Sequence, residues 1–188
     1  MSERLFIAVG FDEELCKRLS QEVKKVKINL DKAEVGFKWV HFENYHVTLV
    51  FLGATEAQRK EQIVSSIREL EYQLPSFELF ISGVDAFDSE QKARVIYCGV
   101  QNKKVLRSMV DVIREKLGLE SDETYSPHLT IARLRNSGNV KDIISPVRRK
   151  DFFKVPVTEL RLYKSVMAGN YPSYKVLERF KLSAEGIN

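Results

Sequence analysis

Two of the three histidines in the chain begin the same pattern of histidine, apolar residue, threonine and apolar residue. The two tetrads are His46, Val47, Thr48, Leu49 and His128, Leu129, Thr130, Ile131. With average amino-acid usage, apolar-Thr-apolar follows a histidine in roughly a few cases per thousand. Two occurrences among three histidines are therefore hard to attribute to chance.

Each tetrad is predicted to lie on a β-strand with two unlike faces. Because successive side chains of a strand point to opposite faces, His46 and Thr48 share one face while their apolar neighbours are buried on the other. The same alternation places His128 beside Thr130. If the two strands face each other, two imidazoles and two hydroxyls meet in one cleft.

This set of groups suits the cleavage of a phosphodiester. Histidine titrates near neutral pH, so one imidazole can act as the base while the other acts as the acid. Threonine hydroxyls can donate hydrogen bonds to the nonbridging phosphate oxygens, where negative charge grows in the transition state. A structural role is the simpler interpretation of any single histidine, but the matched pair favours catalysis.

Residues beside the second tetrad are further candidates for substrate binding. Strict alternation places Arg133 and Arg135 on the face opposite His128, so they reach the cleft only if the strand twists or bulges. Solvated arginines are the simpler alternative. Tyr125 could stack on a terminal base, although packing in the core or at the rim of the cleft explains it equally well.

The remaining basic residues have weaker assignments. The run Arg148-Arg149-Lys150 and the three lysines Lys24, Lys25 and Lys27 could follow an RNA backbone through its phosphates, or could be solvated faces. His41 lies outside both tetrads and is predicted to be a surface histidine.

Length and composition predict one ordinary globular protein. The chain has 188 residues, 44% of them hydrophobic and 30% charged, with a net charge of +4 that weakly favours an anionic partner. It contains no apolar run of about 18 residues and begins without a secretory signal pattern, so we expect a cytoplasmic monomer with no membrane contact. Cys16 and Cys98 are predicted to be small buried residues in a reducing compartment.

The sequence predicts no metal and no cofactor. A catalytic zinc site usually has three protein ligands, whereas each tetrad offers one imidazole and no nearby carboxylate at ligand spacing. There is no phosphate-binding GxxxxGK[ST] pattern that would support an ATP-dependent reaction.

The elements around the tetrads repeat in order. Each half of the chain is predicted to run strand, helix, tetrad strand, helix, strand, which favours an ancient duplication over chance similarity between alternating elements. We therefore expect an α+β fold with two pseudo-symmetric lobes, each a mostly antiparallel sheet backed by helices. A single bilobal domain, 1–188, would then be built from two interleaved repeats around a central cleft with one tetrad from each lobe.

Several local signals predict where the elements begin and end. Gly53 is predicted to end the first tetrad strand, and Gly118 to end a helix. The predicted helix starts are Asp12, the capping box Thr55-x-x-Gln58, and Asn102.

The tetrads and their surroundings also resemble a known family. Trp39 with ENYHVTLVFLG around the first tetrad, and YSPHLTIAR around the second, are similar to the two-histidine (2H) phosphoesterases. Within that superfamily the chain most resembles the bacterial and archaeal RNA 2′,3′-cyclic phosphodiesterases, also called 2′-5′ RNA ligase-like proteins. The similarity extends from RLFIAVG near the start to YKVLERFKL near the end.

The resemblance implies a reaction and a role for each tetrad residue. His46 would protonate the leaving 3′ oxygen, His128 would accept a proton from the attacking water, and Thr48 and Thr130 would hold the phosphate. The product would be a 2′-phosphate on an RNA end or cyclic nucleotide, formed without a metal.

Other functions remain open from the sequence alone. The same chemistry could serve ADP-ribose cyclic phosphate, 2′-5′ oligoadenylate or reversible 2′-5′ RNA joining. The histidines could also grip a terminal phosphate in an RNA-end binding module without catalysis.

Overall fold

Nine strands and four helices are seen in a computed structural model, which describes residues 2–30, 36–149, 151–169 and 171–184. The strands are β1 (Glu3–Gly10), β2 (Phe37–Trp39), β3 (His46–Thr55), β4 (Phe77–Phe87), β5 (Ala93–Val100), β6 (His128–Gly138), β7 (Asp151–Val157), β8 (Glu159–Ala168) and β9 (Tyr171–Lys181). The helices are α1 (Glu13–Leu30), α2 (Ala57–Arg68), α3 (Lys103–Lys116) and α4 (Lys141–Ile144). Short 3-10 turns cover Phe42–Asn44 and Ser145–Val147.

The strands pair in the order β7-β4-β5-β6-β3-β1-β8-β9, and β2 pairs separately with β6. All of these pairings are antiparallel. The two tetrad strands meet at the centre, where β3 and β6 pair only through Val47 and Leu129. The sheet therefore consists of two half-sheets, which we call the β1 half-sheet (β3, β1, β8, β9) and the β5 half-sheet (β7, β4, β5, β6). The predicted α+β class with mostly antiparallel sheets is confirmed.

Helices α1 and α3 each pack against the half-sheet that does not contain the strand preceding them in the chain. Helix α1 follows β1 in the chain but packs against β7 and α4, and Arg18 of α1 lies 5.3 Å from the ring centre of Phe153 in β7. Helix α3 follows β5 but packs against α2 and β3. Buried residues from both half-sheets and from these helices form one continuous apolar core. Burial of this shared core holds the two tetrad strands beside each other.

Some of the predicted local signals are confirmed. The carboxylate of Asp12 accepts a hydrogen bond of 2.7 Å from the Leu15 amide at the start of α1. At the end of α3, Gly118 has φ +66°, and the Leu119 amide donates to the carbonyl of Arg114. Cys16 and Cys98 are both buried and are not joined in a disulfide, and burial raises the pKa of the Cys16 thiol to about 11.

Two other local predictions are wrong, and the predicted start at Asn102 is correct in position but not in its side-chain cap, because tertiary contacts take over the groups involved. Gly53 does not end β3; its φ of +69° accommodates a register shift against β1, and the strand continues to Thr55. The Thr55 hydroxyl donates to the Gly53 carbonyl, so no capping box opens α2, which has Glu56 at its N-cap. Asn102 does precede α3, but its side-chain amide bonds to the backbone of β4 instead of capping the helix.

None of the helices within the described ranges is long and apolar enough to cross a membrane.

Candidate active site

The two tetrads lie on the wall of one cleft of about 1600 Å³ between the half-sheets. His46, Thr48, His128 and Thr130 all line it. Their strand neighbours Val47 and Leu129 are fully buried and pair with each other across the junction. The alternation of the two strands therefore turns both polar pairs toward the same space.

Both imidazoles are held in the same way. Nδ1 of His46 lies 2.7 Å from the carbonyl oxygen of Asn44, and Nδ1 of His128 lies 2.8 Å from that of Ser126. A carbonyl oxygen only accepts, so Nδ1 carries the hydrogen in each neutral ring and Nε2 keeps its lone pair. Nε2 of His46 lies 3.0 Å from Oγ1 of Thr48, whose hydroxyl donates to it in that tautomer. Each ring thus presents the nitrogen that can take up or release a proton in catalysis.

Aromatic rings surround each histidine. The ring centre of His46 lies 4.9 Å from that of Phe6 and 5.0 Å from that of Tyr174. The His128 ring lies 4.9 Å from Phe87 and 5.3 Å from Tyr97. These rings come from β1 and β9 on one side and from β4 and β5 on the other. Each imidazole is therefore partly shielded from water by neighbouring strands of its own half-sheet.

This environment lowers the pKa of both histidines. Burial is the main cause at His46 and reduces its pKa from the usual 6.5 to about 4, with smaller contributions from the positive charges of His128 and Arg133. The pKa of His128 is lowered by burial first and by Arg133 second. In each case the hydrogen bond from Nδ1 to the backbone opposes the shift. Both rings are consequently neutral at pH 7 in the free protein.

A β-bulge in each tetrad strand changes which residues reach the cleft. In β6, Thr130 pairs with Tyr97 but Ala132 pairs with Ile96, so Ile131 is an extra residue in the strand. Ile131 and Ala132 are both buried, and the alternation resumes one residue out of phase. Arg133 therefore lies on the face of His128 instead of the opposite face, and it lines the cleft together with Arg135.

The first tetrad strand has the same bulge. Thr48 pairs with Ala8 and Val50 with Ile7, which leaves Leu49 as the extra residue. Phe51 consequently turns toward the cleft, 74% exposed, with its ring centre 6.2 Å from that of Phe6. Phe51 stands five residues after His46, as Arg133 stands five after His128. An arginine on one wall thus corresponds to an aromatic ring on the other.

Tyr125 does not line the cleft and instead ties the two tetrad segments together. Its hydroxyl donates to the carbonyl oxygen of Thr48 at 3.1 Å, and its ring packs against the core. Arg107 holds the segment from the other side, since its guanidinium donates to the Tyr125 carbonyl and lies 5.7 Å from the ring centre. The structure therefore places Tyr125 as a link between β3 and the approach to β6, outside the lining of the cleft.

Asn44 is a positioning residue that the sequence analysis missed. Besides accepting from His46, it donates from Nδ2 to the Pro172 carbonyl at 2.8 Å and accepts from the Tyr174 amide at 3.3 Å. It therefore attaches the start of β9, with the Tyr174 ring, to the His46 loop. Asn44 lies two residues before the first tetrad, as Ser126 lies two residues before the second. This shared position is the sequence feature that could have indicated a contact with each histidine.

The other basic residues divide between the cleft and the outer surface. Lys24 and Lys27 line the cleft, whereas Lys25 pairs with Glu22 at 2.6 Å and does not line it. His41 is largely exposed at the rim, with Nδ1 3.4 Å from Oε2 of Glu43. In the basic run before β7, Arg148 forms an ion pair with Glu90, and Lys150 lies outside the described residues.

Within the part of the chain that the structure describes, no group of three or more His, Cys, Asp or Glu side chains is arranged to hold a metal ion.

Comparisons with known proteins show the family to which the chain belongs. The model of the 2′-5′ RNA ligase superfamily matches residues 11–167. The chain is 30% identical over 182 residues to a protein of Archaeoglobus fulgidus named RNA 2′,3′-cyclic phosphodiesterase, covering 95% of this chain and 99% of the relative. A protein of the same name from Thermotoga maritima is 31% identical over 182 residues, covering 93% and 92%.

The fold also matches a solved structure. E. coli LigT in its apo form superposes with a TM-score of 0.77 at 23% sequence identity, covering 97% of this chain and 98% of the other. At that identity the likeness concerns the architecture of the sheet and helices.

Proposed function

Because the chain belongs to the 2′-5′ RNA ligase superfamily, we propose that it is a phosphodiesterase that hydrolyses 2′,3′-cyclic phosphates at RNA ends and leaves a 2′-phosphate. The observation that carries the proposal is the pair of imidazoles on one cleft, each with Nδ1 bonded to a backbone carbonyl and Nε2 available for proton transfer. Curated relatives of nearly the same length are named RNA 2′,3′-cyclic phosphodiesterase, which supports the hydrolysis of the cyclic phosphate.

The reaction is an in-line displacement at phosphorus. His128 Nε2 accepts a proton from water, and the water oxygen forms the new bond to phosphorus. The bond from phosphorus to the 3′ oxygen breaks on the opposite side, and His46 Nε2 donates the proton that this oxygen needs. Histidines on opposite half-sheets suit this geometry, because the attacking and leaving oxygens lie on opposite sides of the phosphate.

The acid must acquire its proton as substrate binds, since both rings are neutral at pH 7 in the free protein. A cyclic phosphate carries one negative charge, which raises the pKa of a nearby imidazole. Binding of the anion thus offsets part of the burial that lowers the pKa of His46. The low dielectric of the site also strengthens the hydrogen bonds made to the phosphate.

Three further side chains are proposed to hold the phosphate. Once Nε2 of His46 carries its proton it no longer accepts from Thr48. The hydroxyls of Thr48 and Thr130 then donate to nonbridging oxygens, and the guanidinium of Arg133 balances the charge that develops there. The bulge at Ile131 supports this role, because it turns Arg133 to the face of the strand that carries His128. The exposed ring of Phe51 offers a flat apolar face for the terminal base.

The test uses 2′,3′-cyclic AMP and an oligonucleotide with a cyclic phosphate end, each with and without EDTA. We expect turnover of both and no loss on chelation, because the proposed acid and base are imidazoles and no step uses a metal. Binding without turnover would identify an RNA-end binding module instead. Loss of activity that one particular metal restores would overturn the metal-independent mechanism.

The position of the product phosphate tests the roles of the two histidines. An enzyme specific for 3′-phosphates should leave the product intact, while a nonspecific phosphatase should release its phosphate. Ready release by the 3′-specific enzyme would mean that the 2′ oxygen leaves, and the orientation of the ribose between His46 and His128 would have to be reversed.

A further inference from the structure

The cleft wall is far more basic than the protein as a whole. Among the described residues that line the cleft, seven are lysine or arginine and one, Glu43, is a carboxylate. This excess is larger than the net charge of +4 of the entire chain. Six of the cations lie on α1, β2 and β6: Lys17, Lys24, Lys27, Lys38, Arg133 and Arg135. One phosphate at the tetrads does not require so many positive charges.

These cations form a basic series whose members lie on β6, β2 and α1. Arg133 is paired in register with Lys38 of β2. Nζ of Lys38 lies 6.0 Å from the ring centre of Tyr171. The next residue of β2, Trp39, has Nζ of Lys27 at 5.4 Å from its ring centre. The basic series therefore runs from the second tetrad strand across β2 to α1.

The lysines of α1 that belong to this series lie on one helix face. Lys17, Lys24 and Lys27 are separated by seven and three residues, which places them on one side of an α-helix. Lys25, which pairs with Glu22, does not line the cleft. Lys17 pairs with Glu13, whereas Lys24 and Lys27 have no carboxylate partner among the residues described here. Their charges are thus available to an anion in the cleft.

The cleft is also larger than a single nucleotide requires, and it exposes aromatic faces. Its volume of about 1600 Å³ exceeds the range of roughly 300 to 1000 Å³ that is usual for small-molecule pockets. Tyr171 is 57% exposed beside Lys38, and Phe51 is 74% exposed on β3. Positive charges interleaved with aromatic rings are typical of sites for single-stranded nucleic acid, where bases stack and phosphates pair with cations.

We propose that the basic wall formed by Lys24, Lys27, Lys38 and Arg135 binds the phosphates of the single RNA strand that leads, on its 5′ side, to the terminal cyclic phosphate. This inference rests on the proposed function and specifies its substrate as a strand of several nucleotides. A single strand is favoured over a duplex because Tyr171 and Phe51 can stack only on unpaired bases.

The experiment compares two substrates in three proteins. The substrates are 2′,3′-cyclic AMP and a single-stranded oligonucleotide of about ten residues with a cyclic phosphate end. The proteins are wild type, the double variant Lys24→Gln/Lys27→Gln, and the control Lys103→Gln/Lys104→Gln. The control makes the same change in net charge at two exposed lysines of α3 that do not line the cleft.

For the oligonucleotide, we expect the α1 variant to raise KM by about three- to tenfold at low salt with little change in kcat. The slope of log kcat/KM against log salt should become shallower by about 1.4, since each phosphate contact contributes about 0.7 for single strands. Turnover of 2′,3′-cyclic AMP should change less than twofold, because this substrate has no phosphate beyond the tetrads. The control should behave as wild type with both substrates.

The outcomes distinguish a failure of this inference from a failure of the proposed function. If wild type hydrolyses neither substrate, the proposed phosphodiesterase activity itself fails. If it hydrolyses both, but the α1 variant keeps the wild-type KM and salt slope for the oligonucleotide, the strand-binding wall is refuted while the activity stands. An equal loss in the control would assign the effect to net charge, and tighter inhibition by a duplex than by a single strand would assign the wall to paired RNA. Either result would overturn the proposal.

Discussion

The pH dependence of catalysis tests the link between burial of the histidines and their proposed roles. Since the pKa of His46 is about 4 in the free protein, only about one molecule in a thousand carries its proton at pH 7. The pKa of His128 is also below its usual 6.5. The profile of kcat/KM reports the free enzyme. We therefore expect a bell with its maximum below pH 6.5 and a fall of about tenfold per pH unit above pH 7.

The assay is kcat/KM for 2′,3′-cyclic AMP between pH 4 and 9, paired with an NMR titration of the imidazole carbons. Protein stability must be followed as well. Because the folded-state pKa of His46 lies below the unfolded value, the unfolded state binds more protons between pH 6.5 and 4, and stability falls as the pH decreases through that window. Across that window, the lowered pKa of His46 reduces the free energy of unfolding by about 3 kcal/mol. A kcat/KM maximum above pH 7, or a His46 titration near 6.5 in folded protein, would refute the reasoning.

The variant Arg133→Gln tests the pKa of the two histidines more directly. Its positive charge lowers the pKa of both histidines, so its removal should raise both titrations and move the kcat/KM maximum toward neutral pH, at a lower absolute rate. Arg135→Gln is the matched control, because Arg135 lines the same cleft but is not among the causes of either shift. Equal shifts in the two variants would show that bulk charge, and not the bulge that directs Arg133, sets the histidine pKa.

The remaining predictions concern the tetrads and their link. His46→Ala and His128→Ala should each lower kcat by about two to four orders of magnitude. The double variant should be little worse, since acid and base act as a unit. Near-wild-type hydrolysis by either folded single variant would exclude the paired mechanism. Thr48→Val and Thr130→Val should each cost about 1–3 kcal/mol in transition-state stabilisation measured from kcat/KM, with unfolding midpoints close to wild type; unchanged kinetics would mean that the hydroxyls do not contact the phosphate. Tyr125→Phe should lower the free energy of unfolding by about 1 kcal/mol, because the hydrogen bond to the Thr48 carbonyl is lost. KM should not rise. A raised KM in a fully stable variant would indicate that Tyr125 contacts the substrate.

The tetrads illustrate what could be predicted from local sequence. The two-residue period of a strand is a property of the backbone, so the shared face of His46 and Thr48 follows once the segment is taken as a strand. The tautomers did not follow in this way, because they depend on the carbonyls of Asn44 and Ser126, whose positions are set by the loops that precede each strand. The aromatic rings that pack against the two histidines come from β1, β4, β5 and β9, far away in the chain.

Arg133 and Tyr125 show the limit of that reasoning. Alternation alone places Arg133 away from His128, and only the pairing of β6 with β5 reveals the extra residue Ile131 that reverses its direction. Tyr125 is next to the second tetrad in sequence, yet its hydroxyl is directed to Thr48 of the other half-sheet.

The sequence by itself determined the pair of tetrads, the strands that carry them, the α+β class and the chemistry that two histidines and two threonines favour. These features depend on residue type and short-range periodicity, which any segment carries with it. Only the tertiary structure decided the bulges, the exchange of α1 and α3 between half-sheets and the basic wall across α1 and β2. Those features depend on strand register and on the packing of segments distant in sequence, and the energy of such contacts is realised only when the partners meet.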